Sequence, residues 1–207
     1  EVRNTLFISH QVHTWPSQKE MLRAFDWLEI QAYKNSIRKS NEITIKRIYD
    51  ENLKIADSLK ANNEMISAIT EYERCNVIND NREGEKIKTT IESIKKSKEY
   101  KSQIAKRDQI AVLENEITNS ILDQFEKELK VAKSEDDFKF WRTELKKLEN
   151  RKAKSNDFAI KNMVDRIKFM IKGLVYESAH ESKRNFQNDK LLYCTELEKV
   201  IQLYDEK

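Results

Sequence analysis

From about Gln18 onward, apolar residues recur every three or four positions, which is the period of one helix face. Met21, Leu22, Phe25, Leu28 and Ala32 mark the first stripe, on a helix running from about Gln18 to Ser36. Trp27 and Ile30 fall on its far side. A helix apolar on two faces is expected to lie between neighbours rather than on a surface, with the five-residue stripe buried. Ile45, Ile48, Leu53, Ile55 and Leu59 predict a second helix over about Glu42 to Ala61, after the connector Arg38-Lys39-Ser40-Asn41. Met65, Ile66, Ile69, Tyr72 and Val77 predict a third, which Asn79-Asp80-Asn81 ends. Asn62-Asn63 separates the pair, since asparagine tolerates the left-handed turn that joins antiparallel helices.

The same period continues to the C-terminus. Ile87, Ile91 and Ile94 form a thin stripe on a lysine-rich helix, expected to be only weakly buried. Ile110, Leu113, Ile117, Ile121, Phe125 and Leu129 make the strongest stripe, on a long helix of about Ser102 to Val131. Ser134-Glu135-Asp136-Asp137 restarts a helix carrying Phe138, Trp141, Leu145 and Leu148. Ser155-Asn156-Asp157 starts another with Ile160, Val164, Ile167, Ile171, Leu174 and Val175. Asn185 is expected to begin the last, through Leu191, Leu192, Leu197, Val200, Ile201 and Tyr204.

Composition agrees with this pattern. The 207 residues include two glycines and one proline, where glycine alone ordinarily makes up about 7%. Such scarcity of turn-forming residues disfavours a sheet-rich fold. The expectation is an all-α chain, an α-solenoid or irregular bundle of antiparallel hairpins, with at most one short N-terminal strand. Lys and Arg total 39 against 36 Asp and Glu, a formal net charge of +3 too balanced to mark a nucleic-acid binder. No apolar run approaches the ~20 residues of a membrane span. Cys75 and Cys194 carry no framework spacing and read as two buried thiols; the compartment is left open.

The N-terminal segment departs from the helical period. Asn4-Thr5-Leu6-Phe7-Ile8-Ser9 is the one strand-like stretch, and His13-Thr14-Trp15-Pro16 follows it. Ser17 with Glu20 three residues on is a capping box, so a helix starts there. Strand, histidine loop and capped helix, with Trp27-Leu28 near the helix end, resemble the last strand, catalytic-histidine loop and last helix of α/β-hydrolase-fold esterases and peptidases. The resemblance covers about the first 35 residues and implies that His13 is the triad histidine of a longer parent, with His10 as the fallback. Gln11 and Val12 stand where that family places small residues. A Glu1 start, in the run-up to a strand, is expected of a cut chain. The nucleophile is missing: such enzymes need Gly-x-Ser-x-Gly, and neither Gly84 nor Gly173 flanks a serine at that spacing. No glycine-rich oxyanion loop exists either, so this chain alone is expected to perform no acyl transfer.

The second and third helices resemble a tetratricopeptide repeat. Ile55, Ala56 and Leu59 occupy the motif's first-helix positions, Asn63 its turn, and Ala68, Tyr72 and Cys75 its second-helix positions. Asn52 stands where the motif often has tryptophan, Asp80 where it closes on proline, and no second clear copy follows. The expected organisation is residues 1–36 as the hydrolase-like remnant and 37–207 as a helical domain, with the repeat-like hairpin at about 43–80. The expected role is protein or peptide interaction, or substrate access, beside a hydrolase; the alternative is a free-standing helical adaptor unrelated to hydrolases.

Other chemistry reads as absent. No cofactor or metal site is expected: His10 and His13 lie in a strand or loop, and His180 is a lone helical histidine. Two basic tracts, one from Lys86 to Arg107 and one from Lys139 to Lys154, have Glu85, Glu92, Glu99, Asp108, Glu144 and Glu149 mixed in at spacings that suit ion pairs. They read as solvated helix faces, so a protein or peptide in a helical groove is the expected partner, and no nucleic acid. Phe138, Phe140 and Trp141 read as core and groove lining.

Overall fold

A computed structural model describes residues 16–78, 84–131 and 138–204. Eight α-helices and no strand occur among them: α1 (Gln18–Lys34), α2 (Glu42–Ala61), α3 (Met65–Ile78), α4 (Gly84–Lys96), α5 (Lys98–Val131), α6 (Lys139–Lys154), α7 (Phe158–Arg184) and α8 (Asn188–Gln202). The chain is all-α. The expected strand at Leu6 to Ile8 lies outside the described residues. Two units divide between Ile104 and Ala105, inside α5.

The helix starts follow the side chains. Ser17 accepts from the Glu20 amide at 3.3 Å while the Glu20 carboxylate accepts from the Ser17 amide at 2.7 Å, completing the capping box of α1. Asn41 caps α2 by accepting from the amides of Ile43 and Thr44. Asp157 caps α7 through the Ala159 amide at 3.0 Å. Asn185, expected to begin the last helix, instead caps the C-terminus of α7, and α8 starts at Asn188. Phe186 explains the shift: its φ of 56° breaks the helix between them.

Three helices end in the same way. After α1, α2 and α7, the residues Ser36, Asn63 and Phe186 take left-handed backbone with φ between 56° and 63°. In each, the next amide reaches back five residues: Ile37 to the Ala32 carbonyl, Glu64 to Leu59 and Gln187 to Ser182. These are Schellman closures that satisfy carbonyls the helix leaves open. All are made without glycine.

The core of the first unit comes from α1 to α4. Ile30 shares a buried cluster with Ile48, Tyr49 and Ala56 of α2 and Met65, Ala68, Ile69, Tyr72, Cys75 and Ile78 of α3. Ile87, Ile91 and Ile94 of α4 join it and are buried, so that stripe is stronger than its thinness implied. Three isoleucines on one face suffice when every other position is polar, because only one face can then turn inward. In the second unit Ile110, Ile121 and Phe125 of α5 pack with Trp141, Leu145 and Leu148 of α6. Met163, Val164, Ile167, Ile171 and Val175 of α7 and Tyr193, Cys194, Leu197, Val200 and Ile201 of α8 complete that core. Trp141 stands edge-on to Phe125 at a ring separation of 6.2 Å and is fully buried, as core rather than as a ligand box.

Candidate functional site

α1 turns the opposite face inward from the one its apolar stripe predicts. Trp27, Ile30 and Gln31 are buried, whereas Met21, Leu22, Phe25 and Leu28 are 39–60% exposed. The reason lies in polar side chains between the stripes. Arg23 donates to Glu71 of α3 at 2.6 Å and to Asn52 of α2 at 3.4 Å, and Arg74 donates to the same Glu71 oxygen. Glu71, Arg74 and Asn52 are all buried. On the flank, Arg47 of α2 holds Asp26 of α1 at 2.7 Å. A buried carboxylate between two guanidiniums is costly to break, because any one loss strands a charge. These contacts set the rotation of α1, and the larger stripe is left facing outward.

The hairpin α2–α3 is tight where small residues were expected. Ala56, Ala68 and Cys75 are fully buried, and Tyr72 beside them donates its hydroxyl to Asp57 at 2.5 Å. Asn52 fits there because its amide donates to the Ile48 carbonyl at 2.7 Å and its oxygen takes the Arg23 bond. Gln103 of α5 clamps the turn, donating to the Asn63 carbonyl and accepting from the Ile66 amide.

A second polar cluster lies on the other core. Glu128 of α5 accepts from the Trp141 indole at 2.6 Å, from the Tyr193 hydroxyl at 2.7 Å and from Gln124 at 2.5 Å. Burial, then the Glu128 carboxylate, pushes the Tyr193 hydroxyl well above its ordinary range. These three donors fasten α5, α6 and α8 together around one carboxylate.

Of the predicted site residues, His13 and His10 lie outside the described residues. Among the described residues no cluster of metal-binding side chains occurs, and no helix is long and apolar enough to cross a membrane. His180 is exposed on α7 beside Tyr176, at a ring separation of 6.1 Å. Both cysteines are free and buried; burial pushes Cys75 up to about 12 and Cys194 up to about 11, so neither is a nucleophile at neutral pH. Searches against protein-family models, curated proteins and solved structures return no match to this chain.

Three features escaped the reading of the sequence: the Arg23–Glu71–Arg74 knot, the Glu128 acceptor and the outward stripe of α1. The first had a signal. Glu71 and Arg74 sit beside Tyr72 and Cys75, three apart, on the side of α3 that the apolar spacing already turns inward.

Proposed function

We propose that this chain is the C-terminal helical region of an α/β-hydrolase-like esterase or peptidase, non-catalytic by itself, with α1 as the helix that joins it to the catalytic domain. The observation that carries the reading is α1 itself. One face, through Ile30, is committed to the helical hairpin; on the other, Met21, Leu22, Phe25 and Leu28 are not fully buried by any of the described residues. A helix at the end of a hydrolase sheet needs such an outer face to pack on the strands. The His13-Thr14-Trp15-Pro16 sequence immediately before it supplies the resemblance, and in the longer parent His13 would serve as the triad histidine. The helices beyond α1 would then serve protein or peptide interaction, or shape substrate access.

A second reading, a free-standing tetratricopeptide-like adaptor, is favoured by the burial of Ala56, Ala68 and Cys75 at the close-approach positions of α2 and α3. The coding sequence upstream of Glu1 separates the two. A Gly-x-Ser-x-Gly roughly 100 or more residues upstream, with an aspartate in between, is the expected finding. An initiating methionine close to Glu1, with no such elbow, would leave the adaptor reading.

A further inference from the structure

α6 carries seven basic residues in 16, and its two glutamates were expected to neutralise them along the helix face. They do not lie on the outward face. Trp141, Leu145 and Leu148 define the buried side. Positions 139, 142, 143, 146, 150 and 154, spaced by three and four, define the opposite one. That outward series reads Lys139, Arg142, Thr143, Lys146, Asn150 and Lys154, with no acid in it. Glu149 is turned aside to Lys168 of α7 at 2.5 Å, and Glu144 is engaged by Lys147 at 2.6 Å.

Two adjoining depressions run along this face. One, of about 640 Å³, is lined by Lys139, Arg142, Lys146 and Lys147 with Thr143, Asn150 and Tyr204. The other, of about 560 Å³, shares Lys147 and Asn150 and adds Arg151, Lys154 and Ser155 over Leu113 and Ile160. Among the described residues, no carboxylate lines either. One terminal nitrogen of the Arg151 guanidinium is buried with no hydrogen-bond acceptor among the described residues.

We propose that the outward face of α6 is a binding groove for an extended acidic polypeptide segment. The two depressions are open and adjoin at Lys147 and Asn150, and their lining residues on α6 run from Lys139 to Lys154, a span of ~24 Å, which suits a strand-like ligand better than an enclosed small molecule. The cations supply charge complementarity, and Thr143, Asn150 and Ser155 supply groups that can bond a peptide backbone. Single-stranded nucleic acid is less well served, because stacking platforms are needed and Tyr204 is the one aromatic that lines the groove. An anionic membrane is less well served too, since no Trp, Phe or Leu on α6 points outward with the lysines. The groove gives a chemistry to the interaction role proposed above, yet it rests on α6 and not on the hydrolase resemblance.

The test is fluorescence anisotropy on the whole chain at low salt, with a labelled peptide of about eight glutamates, which spans the groove at ~3.3 Å per residue. A labelled oligothymidine and vesicles containing phosphatidylserine are run beside it. The expected result is saturable peptide binding that weakens with salt. Lys146→Glu with Lys154→Glu should lower it about tenfold or more, while Lys127→Glu on the exposed surface of α5 changes it less than about twofold. Circular dichroism confirms that each variant is folded. Absence of peptide binding, an equal loss from Lys127→Glu, or tighter binding of the oligonucleotide or vesicles would overturn the proposal. None of these outcomes touches the hydrolase reading, which the upstream coding sequence decides separately.

Discussion

Phe186 is an aromatic residue held at φ 56° with its side chain 88% exposed. A left-handed backbone costs an L-residue ~1–2 kcal/mol, and here the side chain recovers little by packing. The bend is imposed from outside, by the closure of Gln187 onto Ser182 and by the need for α8 to return along α7. Phe186→Gly is therefore expected to stabilise the protein by about 0.5–1 kcal/mol, after glycine's greater freedom in the unfolded chain is subtracted. Thermal unfolding would show a rise in Tm, and a fall would mean that Phe186 packs in a way its exposure conceals. Asp157 makes a complementary case. The Lys106 ammonium at 2.7 Å, with the Ala159 amide, holds its carboxyl below the usual range. A depressed carboxyl stabilises the fold above its unfolded value of about 3.9 and stops doing so as pH falls through the folded value. Asp157→Ala should cost about 1 kcal/mol at neutral pH. In urea titrations stepped toward acid, the gap from the parent chain should narrow. A gap that stays constant into acid would assign the effect to charge-independent hydrogen bonding at the cap rather than to the ionised carboxylate.

At the scale of the helix, existence was legible and orientation was not. All eight helices follow the three-four spacing, because with two glycines and one proline nothing else competes with it. The rotation of α1 runs against its own hydrophobicity: four apolar side chains give way to two, since Arg23 reaches Glu71 and Asn52. Long-range polar contacts of that kind, 48 residues apart for Arg23 and Glu71, leave no periodic trace. Small residues were better guides. Ala56 and Ala68 have no exposed surface because α2 and α3 approach closely there. Ala68→Leu should overpack that contact and cost about 1–3 kcal/mol in urea unfolding. Ile43→Ser, at an exposed position of the same hairpin, should lie within about 0.5 kcal/mol of the parent. Equal effects at the two sites would mean that the hairpin is looser than its buried alanines indicate.

For the whole molecule, composition conceals what arrangement reveals. A net charge of +3 describes a nearly balanced chain, yet on α6 Lys139, Arg142, Lys146, Lys147 and Lys154 are exposed while Glu144 and Glu149 are half-buried in ion pairs. The sequence listed both signs at helical spacing but could not say which pairs close. The candidate catalytic residue is legible only through the His-Thr-Trp-Pro context, and what it can do follows from the chain's other groups. Acyl transfer needs a nucleophile positioned on a tight turn and donors aimed at the developing oxyanion. Gly84 opens α4 and Gly173 lies in the middle of α7, so neither shapes an elbow. The two thiols are no substitute, since burial pushes Cys75 up to about 12 and Cys194 up to about 11. A histidine without these partners retains only weak general-base chemistry. The chain should therefore hydrolyse p-nitrophenyl acetate no faster than an equal concentration of the His13→Ala variant. Turnover that His13→Ala abolishes would contradict this and would place a nucleophile where the sequence shows none.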